Sequence, residues 1–137
     1  RSSDSGKTWE IMKMPYIGSF WGGLVTKQGR VLALGMRGNI FWSDDFGGTW
    51  TKVETGADQS YSGAVQLSDG TIIAVGLAGT VSYSTDNGES FSTYIRPSRT
   101  GFSAVAPSAN GEVVLFGDTG IERQPDKLPA PAAPTGS

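Results

Sequence analysis

Three aspartates recur at one spacing and are the first candidates for chemistry in this sequence. Asp4, Asp45 and Asp86 are 41 residues apart. Each stands in the pattern S-x-D-x-G-x-[TS]-[WF], in the segments "SSDSGKTW", "SDDFGGTW" and "STDNGESF". We call these segments, residues 2–9, 43–50 and 84–91, the first, second and third boxes. Carboxylates at a regular spacing suit either calcium binding or the acid and base of a glycosidase.

The box pattern does not favour a calcium site. Calcium takes about six to eight oxygen ligands. Each box supplies only one carboxylate that recurs at the same position in every copy. Boxes that lie on separate structural units cannot combine their carboxylates around one ion. We therefore expect no bound metal, and the sequence indicates no other cofactor.

Catalytic motifs are scarce along the chain. The sequence contains no histidine and no cysteine, so it lacks the commonest general base and any thiol chemistry. It also contains no G-x-S-x-G motif and no phosphate-binding loop of the Walker type. A glycosidase needs only two carboxylates, so a fragment of such an enzyme is the alternative to a chain without catalytic activity.

Composition describes a globular chain without a nucleic-acid or membrane signature. Of its 137 residues, 37% are hydrophobic and 18% are charged, and the net charge is −2. A slightly acidic chain does not favour nucleic acid as a partner. The apolar runs are far shorter than the roughly 18 residues that a membrane-spanning helix needs.

The elements that must position the aspartates repeat with the same period of 41 residues. Glycines and aromatic residues outside the boxes keep this register, as Phe20, Tyr61 and Phe102 show. Within the boxes, the repeated positions are Asp4, Gly6, Trp9, Asp45, Gly47, Trp50, Asp86, Gly88 and Phe91. A fixed period of about 40 residues is typical of solenoids and propellers.

Each unit contains four short segments that are rich in β-branched and aromatic residues. In the first complete unit they cover 20–26, 31–35, 39–43 and 49–53, and in the second 61–67, 72–76, 80–84 and 90–94. Glycine-containing turns separate them. Four antiparallel strands in about 40 residues predict an all-β fold made of β-propeller blades, about three of them, belonging to a larger ring.

The box then has a structural interpretation. It lies at the turn between the third and fourth predicted strands, where an aspartate can accept hydrogen bonds from nearby backbone N–H groups. Glycine supplies the positive φ that such a turn needs. We therefore predict that the boxes fix their turns and do not form a binding or catalytic site.

These residues carry a family resemblance. The boxes resemble the Asp-box (BNR) repeat of sialidases and related propellers. The runs "GMRGNIFWS" and "GLAGTVSYS" are similar to the G-x-x-G-x-[IV]-x-x-S run of the photosystem II stability and assembly factor family and its bacterial relatives. The resemblance covers residues 2 to about 122 and ends where Lys127 replaces the next aspartate. It implies a propeller that holds another protein, located outside the cytoplasm, in the periplasm, in a lumen or secreted.

The same period gives the domain boundaries. We predict a partial propeller over 1–124, with units of about 1–13, 14–54, 55–95 and 96–124, and a proline- and alanine-rich tail over 125–137. The first unit holds a box and a fourth strand, and the last holds three strands of a blade. We therefore expect either further blades of a longer protein or a second copy of the chain to close the ring.

Strand alternation assigns the loops to two rims. The boxes lie on one rim, and the connectors between blades lie on the other with the turns between second and third strands. Connector loops on a rigid scaffold often carry function, and Arg and Tyr are enriched at interfaces. The candidate partner-binding residues are Tyr16, Arg37, Arg96 and Arg99. The alternative is that they are only solvated loop residues.

Two tryptophans and two function classes complete the sequence-based expectations. Trp21 and Trp42 stand inside predicted strands, so we expect them to pack in the core or between blades and not to stack on sugars. The favoured function is a non-catalytic scaffold or assembly factor that binds another protein. The alternative is a fragment of a carbohydrate-active propeller of the sialidase or another glycoside hydrolase type.

Overall fold

The computed structural model describes residues 1–124, except for the side chain of Gln124. It contains three antiparallel sheets whose strands follow one another in chain order. The all-β propeller-blade architecture expected from the repeat is therefore confirmed. The predicted tail over 125–137 lies outside the described residues.

Within residues 1–124, eleven strands build these sheets, with four strands each in the first two and three in the last. The first sheet contains β1 (Phe20–Val25), β2 (Val31–Gly35), β3 (Ile40–Ser43) and β4 (Thr51–Val53). The second contains β5 (Tyr61–Gln66), β6 (Ile72–Gly76), β7 (Thr80–Ser84) and β8 (Ser92–Ile95), with one 3-10 turn at Leu77–Gly79. The third contains β9 (Phe102–Pro107), β10 (Val113–Gly117) and β11 (Gly120–Gln124).

Apolar side chains of neighbouring sheets form two cores. The core between the first and second sheets includes Leu34, Ile40 and Tyr61, which are fully buried. The core between the second and third sheets includes Val75, Phe102 and Leu115. The second sheet is therefore covered on both faces, which explains why all five residues of β6 are buried.

The innermost strands of the sheets approach one another closely. A Cβ atom on Gly22 of β1 would lie 2.9 Å from the carbonyl oxygen of Ser62 in β5. The repeat places Gly63 at the same position in β5, where a Cβ atom would lie 3.7 Å from the Cα of Ala104 in β9. Glycine is needed at Gly22 because the backbones of neighbouring sheets leave no room for a side chain. The first strand of each sheet is therefore the one nearest to the other sheets.

The strand limits differ from the predicted ones at the boxes. β4 begins at Thr51 and β8 at Ser92, two residues later than predicted, because the box hydrogen bonds hold the residues before them in the turn. Residues 9–13 form no strand, although a fourth strand was expected there. A fourth strand pairs with the third strand of its own sheet, as β4 does with β3, and the described residues offer the first box no such partner.

The described residues contain no helix that is long and apolar enough to cross a membrane.

Candidate functional site

The second box is closed by hydrogen bonds to one carboxylate. The Oδ1 of Asp45 accepts hydrogen bonds from the backbone N–H of Thr49 at 2.8 Å and from the hydroxyl of Ser43 at 2.7 Å. Its Oδ2 accepts one from the Thr49 hydroxyl at 2.8 Å. The Ser43 hydroxyl oxygen accepts in turn from the N–H of Gly47 at 2.8 Å. The first and third boxes contain the same bonds around Asp4 and Asp86.

These bonds hold two successive residues in the left-handed region. In the second box the φ angles are 54° at Phe46 and 86° at Gly47. Glycine adopts such angles without strain, whereas a bulky residue such as Phe46 does not. The carboxylate bonds must therefore hold the Phe46 backbone in place.

The same bonds keep the box carboxylates ionised. The backbone N–H of Thr49 lowers the pKa of Asp45 to about 2, with further contributions from the Ser43 and Thr49 hydroxyls. The Thr8 hydroxyl and backbone N–H lower the pKa of Asp4 to about 2. Burial raises the pKa of Asp86, but the hydrogen bonds to this carboxylate outweigh it, so the pKa is lowered. A group that stays ionised in this way is unsuited to act as a general acid near neutral pH.

The aromatic residue that ends each box has a different environment in each copy. Phe91 is buried in the core, and Trp50 is partly buried. Trp9 is 75% exposed, and its Nε1–H donates to the carbonyl of Gly6 at 3.1 Å. The structural role that we assign to the boxes stays a prediction, which Asp45→Ala tests below.

A buried arginine links the second and third boxes, and sequence reasoning missed it. Arg30 makes two hydrogen bonds to the carboxylate of Asp44, at 2.7 and 2.8 Å. It also donates to the carbonyl of Asn87 at 3.2 Å, and its guanidinium lies 3.9 Å from the ring centroid of Trp42. The bonds to Asp44 raise the pKa of Arg30. The repeat places threonine and glutamate where Arg30 stands, and this departure was the available signal.

On the opposite rim, two of the four candidate partner-binding residues are committed to internal contacts. The ring of Tyr16 packs against Phe20 and Phe41, with centroids 5.4 and 5.6 Å apart. Arg96 forms an ion pair with Glu122 at 2.7 Å. These contacts fix both side chains within the fold.

The other two candidates, Arg37 and Arg99, are exposed on this rim. Both have a φ of 55°. The N–H of Arg37 donates to the Ser60 hydroxyl, and the N–H of Arg99 donates to the carbonyl of Arg96 at 3.0 Å. The rim therefore presents two cationic side chains on hydrogen-bonded turns.

A concavity opens between the three sheets and has a volume of about 370 Å³. Trp21 projects into it from β1 and is 48% exposed. The expectation that Trp21 packs in the core is therefore wrong. The reason is a shift in the register of β1 with β2 between Phe20 and Gly22, which places Trp21 at a β-bulge, where a side chain can be directed away from the core. Trp42, in contrast, packs against the core as expected. The residues that line the concavity are Trp21, Ser62, Leu77, Gly101, Phe102, Ser103 and Asp118.

One carboxylate belongs to this concavity. Asp118 is exposed, and its N–H donates to the carbonyl of Gly101 at 3.1 Å. No donor among the described residues contacts its carboxylate. Within residues 1–124, no group of three or more acidic side chains is arranged to hold a metal ion. The concavity therefore combines apolar surface with a single free negative charge.

Comparisons with known proteins identify the fold only. No protein-family model and no curated protein sequence matches the chain. Among solved structures, YCF48 bound to D1 peptide is similar with a TM-score of 0.71 and 18% identity, over 86% of this chain and 40% of that one. A catalytically inactive virginiamycin B lyase from Staphylococcus aureus with quinupristin gives a TM-score of 0.68 and 18% identity, over 87% and 46%. A streptogramin B lyase gives 0.66 and 18%, over 88% and 44%.

These similarities support the β-propeller fold at the level of backbone geometry. The chain spans less than half of the length of each of these three structures. The proteins include both a peptide complex and lyases, so the fold alone does not select one function.

Proposed function

We propose that this chain is part of a non-catalytic β-propeller scaffold that binds another protein through the rim that carries Arg37 and Arg99. The observation that carries the proposal is that both arginines are exposed and are held at a φ of 55°. Loops on a rigid sheet scaffold are common binding surfaces. Arginine is enriched among the interface residues that contribute most to the binding energy.

The internal repeat makes the position of Arg37 informative. Its counterpart in the second sheet is Ala78, which has a φ of 53°. The turn therefore forms with either residue, and the long cationic side chain is not needed to build it. Because a left-handed backbone disfavours any residue with a Cβ, glycine would suit both positions better. An exposed arginine at such a place is best explained by what its side chain contacts outside the chain.

Two further observations support a protein partner over a reaction. The solved structure of YCF48, which is similar in fold, contains a bound peptide. The box carboxylates, the most regular acidic groups of the chain, accept hydrogen bonds inside their own turns. The resemblance to the photosystem II stability and assembly factor family points in the same direction.

The proposal is tested by quantitative capture from a lysate of the source organism. The wild-type chain and the double variant Arg37→Glu, Arg99→Glu are immobilised at equal density, and captured proteins are quantified by mass spectrometry. We expect a specific partner that the double variant loses by about tenfold or more. Lys52→Glu is the matched control, because it reverses an exposed charge on β4 away from this rim.

Retention of every captured protein by the double variant would refute the role of this rim. Both variants should melt at the temperature of the wild type, because exposed loop substitutions usually change stability by less than about 0.5 kcal/mol.

A second candidate function is carbohydrate binding within a carbohydrate-active propeller. The half-exposed Trp21 beside Asp118 is the observation that favours it, because an aromatic face next to a hydrogen-bonding group suits a sugar ring. Binding of the wild-type chain to a glycan array, lost in Trp21→Ser, would support this candidate over the first.

We also propose an extracytoplasmic location, in the periplasm, in a lumen or secreted, which rests on the family resemblance. Cell fractionation with an antibody against the chain tests it. Recovery in the cytoplasmic fraction would contradict it.

A further inference from the structure

Two positions of the repeat build most of the concavity, and their chemistry changes from sheet to sheet. Trp21, Ser62 and Ser103 are counterparts, 41 residues apart on the three innermost strands. Leu77 and Asp118 are also counterparts, each the first residue after the second strand of its sheet. Positions that are equivalent in the scaffold therefore supply an aromatic group, an aliphatic group and a carboxylate to one space.

The apolar part of the concavity is unusually open to solvent. Trp21 is 48% exposed and Leu77 is 40% exposed, although both are large hydrophobic residues. Covering such surface stabilises a complex by roughly 25 cal/mol per Å² before the costs of association. Phe102 closes the inner end, where it is 1% exposed. One apolar or aromatic side chain fits a volume of this size.

The carboxylate lies beside this apolar surface. A Cβ atom on Gly101 would lie 2.8 Å from the Oδ2 of Asp118 and 3.8 Å from the Cδ2 of Leu77. The charge and the apolar surface are therefore separated by about the width of one side chain. A ligand that fills the apolar part brings its next groups within reach of Asp118.

From this geometry we propose that the concavity binds an extended segment of a partner protein, with an apolar or aromatic residue in contact with Trp21 and Leu77 and a lysine or arginine paired with Asp118. This inference rests on the part of the proposed function by which the chain binds another protein, and it adds the chemistry of that partner. Residues one or two positions apart in an extended chain are separated by about 3.3 to 7 Å. This range matches the spacing between the apolar surface at Leu77 and the carboxylate of Asp118. The Ser62 hydroxyl is available to the main chain of the segment, and the Ser103 hydroxyl, which donates to the carbonyl of Phe116 at 3.2 Å, can still accept a hydrogen bond.

A sugar ring is the less suitable ligand. Sugar hydroxyls need several polar side chains around them, and the concavity offers one carboxylate and two serine hydroxyls among apolar groups. Mostly apolar sites with a few polar groups suit side chains of peptides better.

The test uses a phage library of random 12-residue peptides, selected on the wild-type chain. We expect the enriched peptides to share an apolar or aromatic residue within two positions of a lysine or arginine. Synthetic peptides of that type should bind Trp21→Ser at least about tenfold more weakly. Trp21→Ser introduces the residue that the repeat already carries at 62 and 103. Asp118→Asn should weaken binding about three- to tenfold and reduce its dependence on salt.

A reversed charge gives the sharpest result. Selection on Asp118→Lys should enrich an acidic residue beside the apolar one, which a merely structural role of Asp118 cannot produce. Lys52→Glu is the control and should bind the wild-type peptides unchanged. A lack of enrichment, an enriched pattern without a basic residue, or binding unchanged in Trp21→Ser and Asp118→Asn would overturn the inference.

The outcome is separate from that of the proposed function. If Arg37→Glu, Arg99→Glu loses the captured partner while Trp21→Ser and Asp118→Asn keep the peptides, the rim binds and the concavity does not. If the concavity variants alone lose binding, the inference stands and the arginine rim is the wrong surface.

Discussion

The guanidinium of Arg30 is held between Trp42 and Asp44, 3.9 Å from the ring centroid of Trp42 and with two hydrogen bonds to the carboxylate of Asp44. Its side chain is only 8% exposed. A further bond to the carbonyl of Asn87 connects it to the next sheet. The residue thus joins two blades on the rim that carries the boxes, where a planar, five-donor group is better suited than an ammonium.

Arg30→Lys should destabilise the chain by about 1–2 kcal/mol, because lysine keeps the charge but loses the paired bonds and the flat contact with Trp42. We place the value at the low end for a charged pair because Asp44 is 55% exposed and screened by solvent. Urea unfolding followed by tryptophan fluorescence measures it. Arg37→Lys is the control, since Arg37 is exposed, and equal midpoints for both variants would contradict the assignment.

The second prediction concerns the box carboxylate. Asp45→Ala removes the acceptor for the Thr49 N–H and for the hydroxyls of Ser43 and Thr49. We expect the melting temperature to fall by about 3–8 °C, while partner binding at 20 °C is unchanged. Glu54→Ala is the control, since its side chain is 92% exposed. Loss of binding at an unchanged melting temperature would show that the box is a binding site.

The lowered pKa values give a pH dependence with a definite sign. Asp4 and Asp45 have pKa values of about 2 in the fold, against 3.8 as their ordinary value. Each ionised carboxylate therefore stabilises the fold fully above about pH 5, and this contribution is lost as the pH falls towards 2. The melting temperature should be level from pH 7 to about 5 and should then fall. Asp45→Asn should show a smaller fall, and an identical pH profile would contradict the prediction.

The left-handed backbone of Phe46 predicts a stabilising substitution. Phe46 has a φ of 54° and is 54% exposed, so its ring gains little from packing. Phe46→Asn should stabilise the chain by about 0.5–1 kcal/mol, because asparagine tolerates this conformation far better. Phe46→Leu serves as the control, because the leucine side chain cannot hydrogen-bond to the local backbone as asparagine does. Equal unfolding midpoints for the two variants would show that the turn is not strained there.

The fold was predictable from the sequence because its determinants are local and repeated. Short apolar segments separated by glycine turns predicted the strands, and β4 and β8 begin two residues later than predicted, while β8 ends one residue later. The hydrogen bonds around Asp45 involve residues within four positions of it. Interactions of this range are visible in a sequence pattern.

The concavity and the arginine link were not predictable in the same way. Asp44 is 14 residues from Arg30, and Asn87 is 57 residues away, so the contacts depend on how neighbouring sheets pack. The alternation of β1 predicts which residues share a face, but not that Trp21 lies at a β-bulge and lines a concavity with residues of the other two sheets. The internal partners of Tyr16 and Arg96 were likewise not visible in the sequence. Departures from the repeat were the one local signal of these sites.

The last prediction concerns the completion of the ring. Large apolar residues remain exposed on the outer sheets, with Val25 of β1 at 64% and Ile121 of β11 at 71%. Within residues 1–124, the third sheet has three strands where the others have four. We propose that further blades of a longer protein, or a second copy of this chain, cover these surfaces, since open strand edges and apolar faces favour association.

Light scattering of the isolated chain should therefore report a mass above that of one chain. The double variant Val25→Lys, Ile121→Lys should shift the mass towards the monomer, while Thr51→Lys, on β4, should leave it unchanged. A wild-type chain that is monomeric at high concentration and melts in one cooperative transition would refute the prediction, because the three sheets would then be stable without any further blade.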